Sequence, residues 1–398
     1  MKDKILFFIT SEYPYGKGET FIDDEIRFLA DVFDKIIIVP TIPIDSKRRN
    51  IPLNAVVSDF ENNQADWLKT FSKIASEPKI QKEFFSNLFS NPLKNKILLK
   101  SVKNSLTIAD RLKTYSEEYK SAEKVYYSYW LDDGAIAAAF LNDDSIRISR
   151  SHGWDVYFEL HKHNYLPLRD FLSERLERIF TISENGKDYL DKKTGRPEKI
   201  TISRLGTSNE NVFDERSDYS KLNVISIGNL IPLKRINLIA SAIGSCGNEN
   251  ITWNHFGEGI LLDEIKSEFP FGIFHGHVGN EKIKEFLRAN AANSVLVNTS
   301  STEGIPVSMM EAMSFGIPCL GTKVGGVSEI IKDGFNGFLM PSDLTAETVA
   351  EYIKKFINLP DEEKNSMRRN AYKIWNEFYN ADKNYSDFAA RISALISR

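Results

Sequence analysis

Cysteine is nearly absent: the 398 residues contain two, Cys246 and Cys319. Two cannot build a disulfide framework. Both stand among small or apolar neighbours, so each is expected as a buried free thiol in a reducing compartment. Long apolar runs are missing as well. The first run, residues 5–9, is too short for a signal-peptide core. No later run approaches the ~20 residues that a membrane span needs. These absences predict a cytoplasmic chain. No charge sign dominates either: 51 Lys and Arg face 55 Asp and Glu, a formal net charge of −4, which excludes a polyelectrolyte seeking nucleic acid. Histidine is sparse, with six in all. His255, His275 and His277 have no fixed carboxylate or cysteine following them to complete a ligand set, which argues against a metal centre. Solenoid periods and low-complexity tracts are lacking.

The length points to two domains, each large enough to bury a core. Residues 5–9 form an apolar strand followed by a loop with Gly16 and Gly18. Phe21, Ile22, Glu25, Ile26 and Leu29 then recur at helical spacing, and residues 36–39 form a second apolar run ended by Pro40. Strand, glycine loop, helix and buried strand are the signature of a parallel sheet. Strands are expected again at 125–127, 146–148 and 179–182, with helices over 134–141 and 165–178. After a connection near residue 210 the alternation resumes at 224–228, with a helix over 236–243 and strands at 251–256, 272–275, 294–297 and 318–321. The fold class is therefore α/β, two Rossmann-like doubly wound domains in tandem. The boundaries fall at 1–205 and 206–379, the first domain being completed by a C-terminal helix over 380–398.

Residues 67–113 depart from this pattern. They carry ten bases against three acids, a net +7 in a chain whose total is −4. Trp67, Phe71, Ile74, Phe84, Phe85, Leu88, Phe89, Ile97 and Leu98 interleave with those bases at roughly helical intervals. Two readings stay open: ordinary amphipathic helices with lysine-rich outer faces, or a surface for an anionic membrane.

Open parallel sheets bind ligands at the carboxyl ends of their strands, which selects a few loops. The most informative is 300–318, Ser-Ser-Thr-Glu-Gly-Ile-Pro-Val-Ser-Met-Met-Glu-Ala-Met-Ser-Phe-Gly-Ile-Pro. Pro306 suits the first helical position and Gly316 the position past the end. The helix start offers backbone N–H groups from Gly304, Ile305 and Val307 to an anion or to hydroxyl oxygens. Glu303 stands before that start and Glu311 about one and a half turns inside it. Two such carboxylates can each chelate a vicinal diol. Taken singly, either Glu could equally complement the helix dipole or sit in solvent.

Glu303 and Glu311, followed by Gly316-Ile-Pro, Gly325-Gly326-Val-Ser-Glu-Ile-Ile and Gly334-Phe-Asn-Gly337, resemble the signature of glycosyltransferase family 4, retaining transferases of the GT-B fold. The segment Ser226-Ile-Gly228-Asn-Leu-Ile-Pro-Leu-Lys234-Arg235 resembles that family's diphosphate loop. It departs at Asn229, where the family often has Arg. The turns 255–259 and 274–278 are similar to its glycine turn and to the backbone segment that meets the nucleobase, here at Val278. The first half resembles it too, in the loop Tyr15-Gly16-Lys17-Gly18-Glu19-Thr20-Phe21, in Ser151-His152-Gly153-Trp154-Asp155, and in segments 180–185 and 203–207. Residues 40–120 are unmatched.

The resemblance implies two domains facing a central cleft and a donor that is a UDP- or GDP-sugar. Lys234 and Arg235 would take its diphosphate, Glu311 its ribose and Glu303 its hexose. His152 would serve the donor sugar or the acceptor, and Gly16, Gly18 and Gly228 would line the phosphate side. It implies no metal and no cofactor, an acceptor that is a glycan or a lipid diphosphate, and a role in cell-surface polysaccharide synthesis at the cytosolic face of the membrane. Two alternatives remain: a nucleotide-sugar epimerase of the same fold, or a silent sugar-nucleotide binding subunit. A dehydrogenase fits poorly, because the first loop lacks Gly-x-Gly-x-x-Gly and no acid ends the strand at Val39.

Overall fold

The structure, a computed structural model, describes residues 2–16, 18–43, 46–59, 65–247 and 250–396. The chain divides into two compact units, Met1–Ser203 with Tyr385–Arg398, and Arg204–Asn384.

In the first unit β1 (Lys4–Thr10) leads through α1 (Ile22–Ala30) to β2 (Lys35–Pro40) and β3 (Ala55–Val57). Three helices follow before the sheet resumes: α2 (Trp67–Ser76), α3 (Pro78–Ser90) and the 25-residue α4 (Leu93–Glu117). Then come β4 (Glu123–Ser128), α5 (Asp133–Ala139), β5 (Ile146–Ser151), α6 (Arg169–Arg175), β6 (Arg178–Thr181), α7 (Glu184–Thr194) and β7 (Ile200–Ile202). The seven strands pair in the order β3-β2-β1-β4-β5-β6-β7, with parallel pairing such as Phe7 opposite Ile37 and Tyr126. Alternation along β1 explains how both faces are covered. Ile5, Phe7 and Ile9 pack with residues of α4 and α5, while Leu6 and Phe8 pack with α1 and with Phe388 and Ile392 of the last helix.

The second unit holds β8 (Leu222–Ile227), α8 (Ile236–Cys246), β9 (Ile251–Phe256), α9 (Leu262–Glu268), β10 (Ile273–Phe274), α10 (Asn280–Asn290) and β11 (Ser294–Asn298). It continues through α11 (Val307–Ser314), β12 (Cys319–Thr322), α12 (Val327–Ile330), β13 (Gly337–Met340), α13 (Ala346–Ile357) and α14 (Asp361–Phe378). The closing helix α15 (Ala381–Ile396) takes the chain back to the first unit. Six parallel strands pair in the order β10-β9-β8-β11-β12-β13. The expected α/β, doubly wound architecture is what the chain adopts.

Local differences have local causes. The helix expected over 165–178 is only α6, because Leu168 adopts a left-handed backbone (φ 59) and blocks continuation toward its N-terminus. The edge strands β3 and β7, three residues each, carry too little pattern to be read in advance. Cys246 is half-buried rather than buried; Cys319 is buried, and burial raises its thiol pKa.

One buried cluster ties the first unit together. Arg150 of β5 has no exposed side-chain surface, and its Nη2 lies 3.1 Å from Oε2 of the equally buried Glu25. Tyr127 Oη donates to Glu25 Oε1 at 2.7 Å, and Arg150 Nε donates to Tyr127 Oη at 2.9 Å. Arg150 Nη1 donates to the Ser203 carbonyl, and the guanidinium stacks on Phe388 at 4.1 Å. Strands β4 and β5, helices α1 and α15 and the exit at Ser203 thus meet on one cation.

Candidate functional site

In each sheet the strand order reverses once, between β1 and β4 and between β8 and β11. Connections leave such a pair toward opposite sides, so a crevice opens at their carboxyl ends.

In the second unit the loop after β8 turns through Pro232–Lys234 and enters α8 at Arg235, which takes a left-handed backbone (φ 49). The loop after β11 runs from Thr299 to Pro306. Between these two loops Lys234 Nζ donates to Glu303 Oε1 at 2.5 Å. The same oxygen accepts from Ser300 Oγ at 2.6 Å and from Asn298 Nδ2 at 3.2 Å. Both charged side chains keep partial exposure, 25% for Lys234 and 11% for Glu303. A cation and a carboxylate are thus held by neutral donors yet remain open to a ligand.

Arg235, beside Lys234, is bonded to the loop after β11. Its Nε donates to the Thr299 carbonyl at 2.6 Å and its Nη2 to the Ser300 carbonyl at 3.1 Å. Desolvation lowers its pKa. A guanidinium bonded to carbonyls clamps the β11 loop and has fewer donors left for a phosphate. Pro306, expected as the first helical residue, is the residue before it, with an extended backbone (ψ 119). Ile305 is buried, Gly304 and Val307 are half-buried, and Glu311 lies buried within α11 at 6% exposure.

The Gly325-Gly326 pair explains itself by close approach. Gly325 has φ 49, and a Cβ there would sit 1.8 Å from the Glu303 carbonyl oxygen; one on Gly326 would sit 2.3 Å from that of Gly304. Gly326 N donates to the Gly304 carbonyl at 2.7 Å. The backbone after β12 therefore supports the Glu303 loop from behind. Gly326→Ala is expected to displace that loop and to slow any reaction that depends on Glu303 about 100-fold, the scale of an ångström of misplacement. The variant's turnover reads this directly, and a wild-type rate would separate the loop from the chemistry.

Gly228, with φ 152, ends β8 beside Gly257, where a Cβ would lie 2.0 Å from the Gly228 carbonyl oxygen. His255 is buried, its Nδ1 lies 2.8 Å from Ser226 Oγ, and burial lowers its pKa to about 4. His275 Nε2 lies 2.8 Å from Asn254 Oδ1 and its ring stacks on Phe256. Both are structural histidines. Val278 stands half-buried in the loop after β10. Among the described residues no group of three or more His, Cys, Asp or Glu is placed to hold a metal ion.

The first unit has a parallel construction at its own reversal point. Glu19 is buried with a left-handed backbone (φ 53). Its carboxylate accepts from Ser11 N at 2.9 Å, from Glu12 N and Tyr13 N at 2.7 Å each, and from Trp130 Nε1 at 2.6 Å. Arg49 binds the carbonyls of Tyr15 and Gly18 in the same loop. Gly16 has φ 67 and its N–H donates to Ser46 Oγ, while Lys17 of the same motif lies outside the described residues. Trp130 packs on His152 with ring centroids 4.3 Å apart. The His152 side chain is 9% exposed; its Nδ1 lies 3.9 Å from Asp155 Oδ2, and among the described residues neither ring nitrogen has a partner within hydrogen-bond distance. Its neighbour Asp155 accepts from the backbone N–H groups of His152, Gly153 and Leu131. Burial alone would raise the Asp155 pKa, but those donors and the His152 ring hold it at about 2. Next to this stands a cavity of about 650 Å³ lined by Trp130, Asp133, Trp154, Asp155, Asn104 and Arg169, among others.

Asn298, Glu19 and Trp130 were not singled out from sequence. The signals were present but faint: a polar residue ending an apolar strand, and a carboxylate between a glycine loop and a helix.

Residues 208–374 match the model of the family described as glycosyl transferases group 1. The amylovoran biosynthesis glycosyltransferase AmsK of Erwinia amylovora is 26% identical over 211 residues, 48% of this chain and 50% of that protein. The uncharacterized glycosyltransferase MJ1178 of Methanocaldococcus jannaschii is 25% identical over 59% of this chain and 67% of its own. The chain thus aligns with about half to two thirds of such relatives' length. Among solved structures, Anabaena HepE in complex with UDP and glucose superposes with a TM-score of 0.69 at 16% identity, covering 98% of this chain and 100% of that one. The sucrose-phosphate synthase of Thermosynechococcus elongatus gives 0.74 at 13% identity, over 98% and 99%. The fold is that of the GT-B glycosyltransferases, and within it residues 208–374 are similar to the glycosyl transferases group 1 domain.

Proposed function

We propose that the chain transfers a glycosyl unit from a nucleoside-diphosphate sugar to an acceptor in cell-surface polysaccharide synthesis, as a retaining member of family 4. The observation that carries this reading is the Lys234–Glu303 pair, set at the strand-order reversal and followed by the N-terminus of α11. Without ligand each charge satisfies the other. With a donor, Glu303 would accept from hexose hydroxyls, and Lys234 would turn to the diphosphate. Glu311 would take the ribose diol.

As the glycosidic bond breaks, negative charge gathers on the leaving phosphate. A fixed cation and helix N–H groups stabilise that charge without demanding a metal. Glu303 would be occupied by ring hydroxyls and so is a poor nucleophile. Front-face attack then follows, with the departing phosphate oxygen taking the acceptor's proton. In the first unit, the unpartnered ring nitrogens of His152 and the cavity beside Asp155 would serve the acceptor side. The HepE complexes with UDP and with UDP-glucose make UDP-sugars the first donors to try.

A thermal-shift screen against UDP-, GDP-, ADP- and dTDP-sugars tests the reading. A ligand at 100 times its Kd stabilises by about 2.7 kcal/mol, which raises Tm by about 5 °C or more for a domain of this size. One nucleotide class is expected to do so, and Lys234→Ala to abolish the shift. A chain indifferent to all four has no donor site.

A further inference from the structure

The cavity beside Asp155 has a neighbour. A second cavity, of about 720 Å³, adjoins it within the first unit, and the two share Ser11, Asn104, Asp132 and Asp133 in their linings. Ser11 follows β1, Thr41 follows β2, Asp132 follows β4 and Trp154 follows β5, so the joined space lies along the carboxyl ends of four strands. Either cavity alone has the volume of a small-molecule site, ~300–1,000 Å³. Together they have room for a chain of linked units.

The two arms differ in chemistry. The first offers indole rings. Trp154 is 60% exposed, and its ring packs on His161 with centroids 4.4 Å apart. Trp130 is half-buried, and its Nε1 is tied to Glu19, which fixes the ring in place. A pyranose lays its C–H face on such a ring and turns its hydroxyls to polar groups at the edge. The second arm is lined by the hydroxyl residues Thr41, Thr107 and Thr114, which an acyl chain could not use. At the elbow Asp133 accepts from Ser101 Oγ and from Asn104 Nδ2, the latter at 2.9 Å. Asp132 is exposed there and lines both arms. Desolvation by the protein around it, and then the Asp133 carboxylate beside it, push its pKa up to about 8. A carboxyl that keeps its proton near neutral pH both donates to and accepts from a hydroxyl.

Charge narrows the ligand further. Five acids line the two arms against five lysines and arginines. The cations are engaged by the protein itself. Lys69 pairs with Asp110 at 3.0 Å, and Arg111 donates to the Pro40 carbonyl. Lys103 lies over the Trp67 ring, Arg169 donates to the Asp155 carbonyl, and Lys100 acts on the Asp133 carboxylate. An acidic sugar would have to break one of these contacts and would stand beside Asp133 and Asp155.

We infer that the joined cavities bind an uncharged oligosaccharide of two or more units, one pyranose stacked on Trp154 and Trp130 and the chain bending past Asp132 into the second arm. The inference rests on the proposed function in one respect, that the first unit serves the acceptor, and it makes that acceptor a neutral glycan.

Fluorescently labelled full chain on an array of immobilised saccharides tests it, with no sugar nucleotide present. The array carries neutral di- to tetrasaccharides, the same chains with one hexuronate in place of a hexose, and single hexoses. One or more neutral chains are expected to retain the protein, and the uronate and monosaccharide counterparts to do so at least tenfold less. Trp154→Ala is expected to weaken binding about tenfold or more, the scale of losing an aromatic anchor, and Trp154→Phe to keep most of it. The side chain is exposed, so an unchanged melting curve should accompany both variants. Retention by no neutral chain overturns the inference. Equal or stronger retention by the uronates overturns the charge assignment, and equal retention by single hexoses overturns the joining of the arms. Wild-type binding by Trp154→Ala removes the stacking platform. Failure on the array leaves a donor-induced thermal shift untouched, whereas glycan binding without any such shift would sink the transferase reading and keep this groove.

Discussion

Lys234→Ala and Glu303→Ala are each expected to lower turnover by about 100-fold or more, the usual scale for removing one charge-stabilising group from an active site. Turnover would be read as nucleoside diphosphate released from whichever sugar nucleotide gives the largest thermal shift. The reasons differ. On the proposed reading, losing Lys234 would remove the cation nearest the developing phosphate charge, and it leaves Glu303 to Ser300 and Asn298. Losing Glu303 frees Lys234 but would remove the proposed acceptor for hexose hydroxyls. Because the two groups touch, their losses should not add: the double variant should fall within a few-fold of the worse single. Lys234→Arg should rescue poorly, since a planar fork cannot replace a point charge set on Glu303 Oε1. Full activity in both alanine variants on the true substrate pair would misplace the site.

The second large effect concerns stability. Arg150→Leu is expected to cost about 3–5 kcal/mol, because it strands the Glu25 carboxylate in a fully buried position. Replacing both residues by leucine should cost less than the single change, since no unpaired charge remains. Urea unfolding of the full chain, followed by its midpoint, would show both. A loss under about 1 kcal/mol for Arg150→Leu would mean that water or a rearranged Tyr127 replaces the cation. The pair is distant in sequence, 125 positions apart, and joins four elements to the exit at Ser203. Its loss should therefore loosen the first unit as a whole rather than fray one helix.

How much could be read beforehand varied with the range of the interaction. The alternating apolar residues of β1 and the continuous run of β2 are local, and they announced a parallel sheet. The motif over residues 300–318 is contiguous, so the loop, its helix and the two carboxylates were legible together. The bonds of Arg235 were not legible, because they reach carbonyls 64 and 65 positions away. Side by side in sequence, Lys234 and Arg235 look like equal cations. The left-handed backbone at Arg235 sends one toward Glu303 and the other beneath the loop. Glu19 was likewise quoted only as part of a glycine loop, and its bond to Trp130, 111 positions on, was invisible. In residues 67–113 the count of bases and aromatics was plain. Which of those aromatics remain in water was not.

By itself the amino-acid order determined the alternation of strands and helices, the glycine turns and the placing of acids before helix starts. Each of these follows from side-chain size, backbone freedom and periodicity over a few residues. Tertiary structure alone decided which charges are shared and which are left to a ligand. That choice is made by desolvation and by donors from distant strands: Ser300 and Asn298 around Glu303, Glu25 against Arg150, and, among the described residues, only the Asp155 carboxylate at 3.9 Å beside the ring of His152.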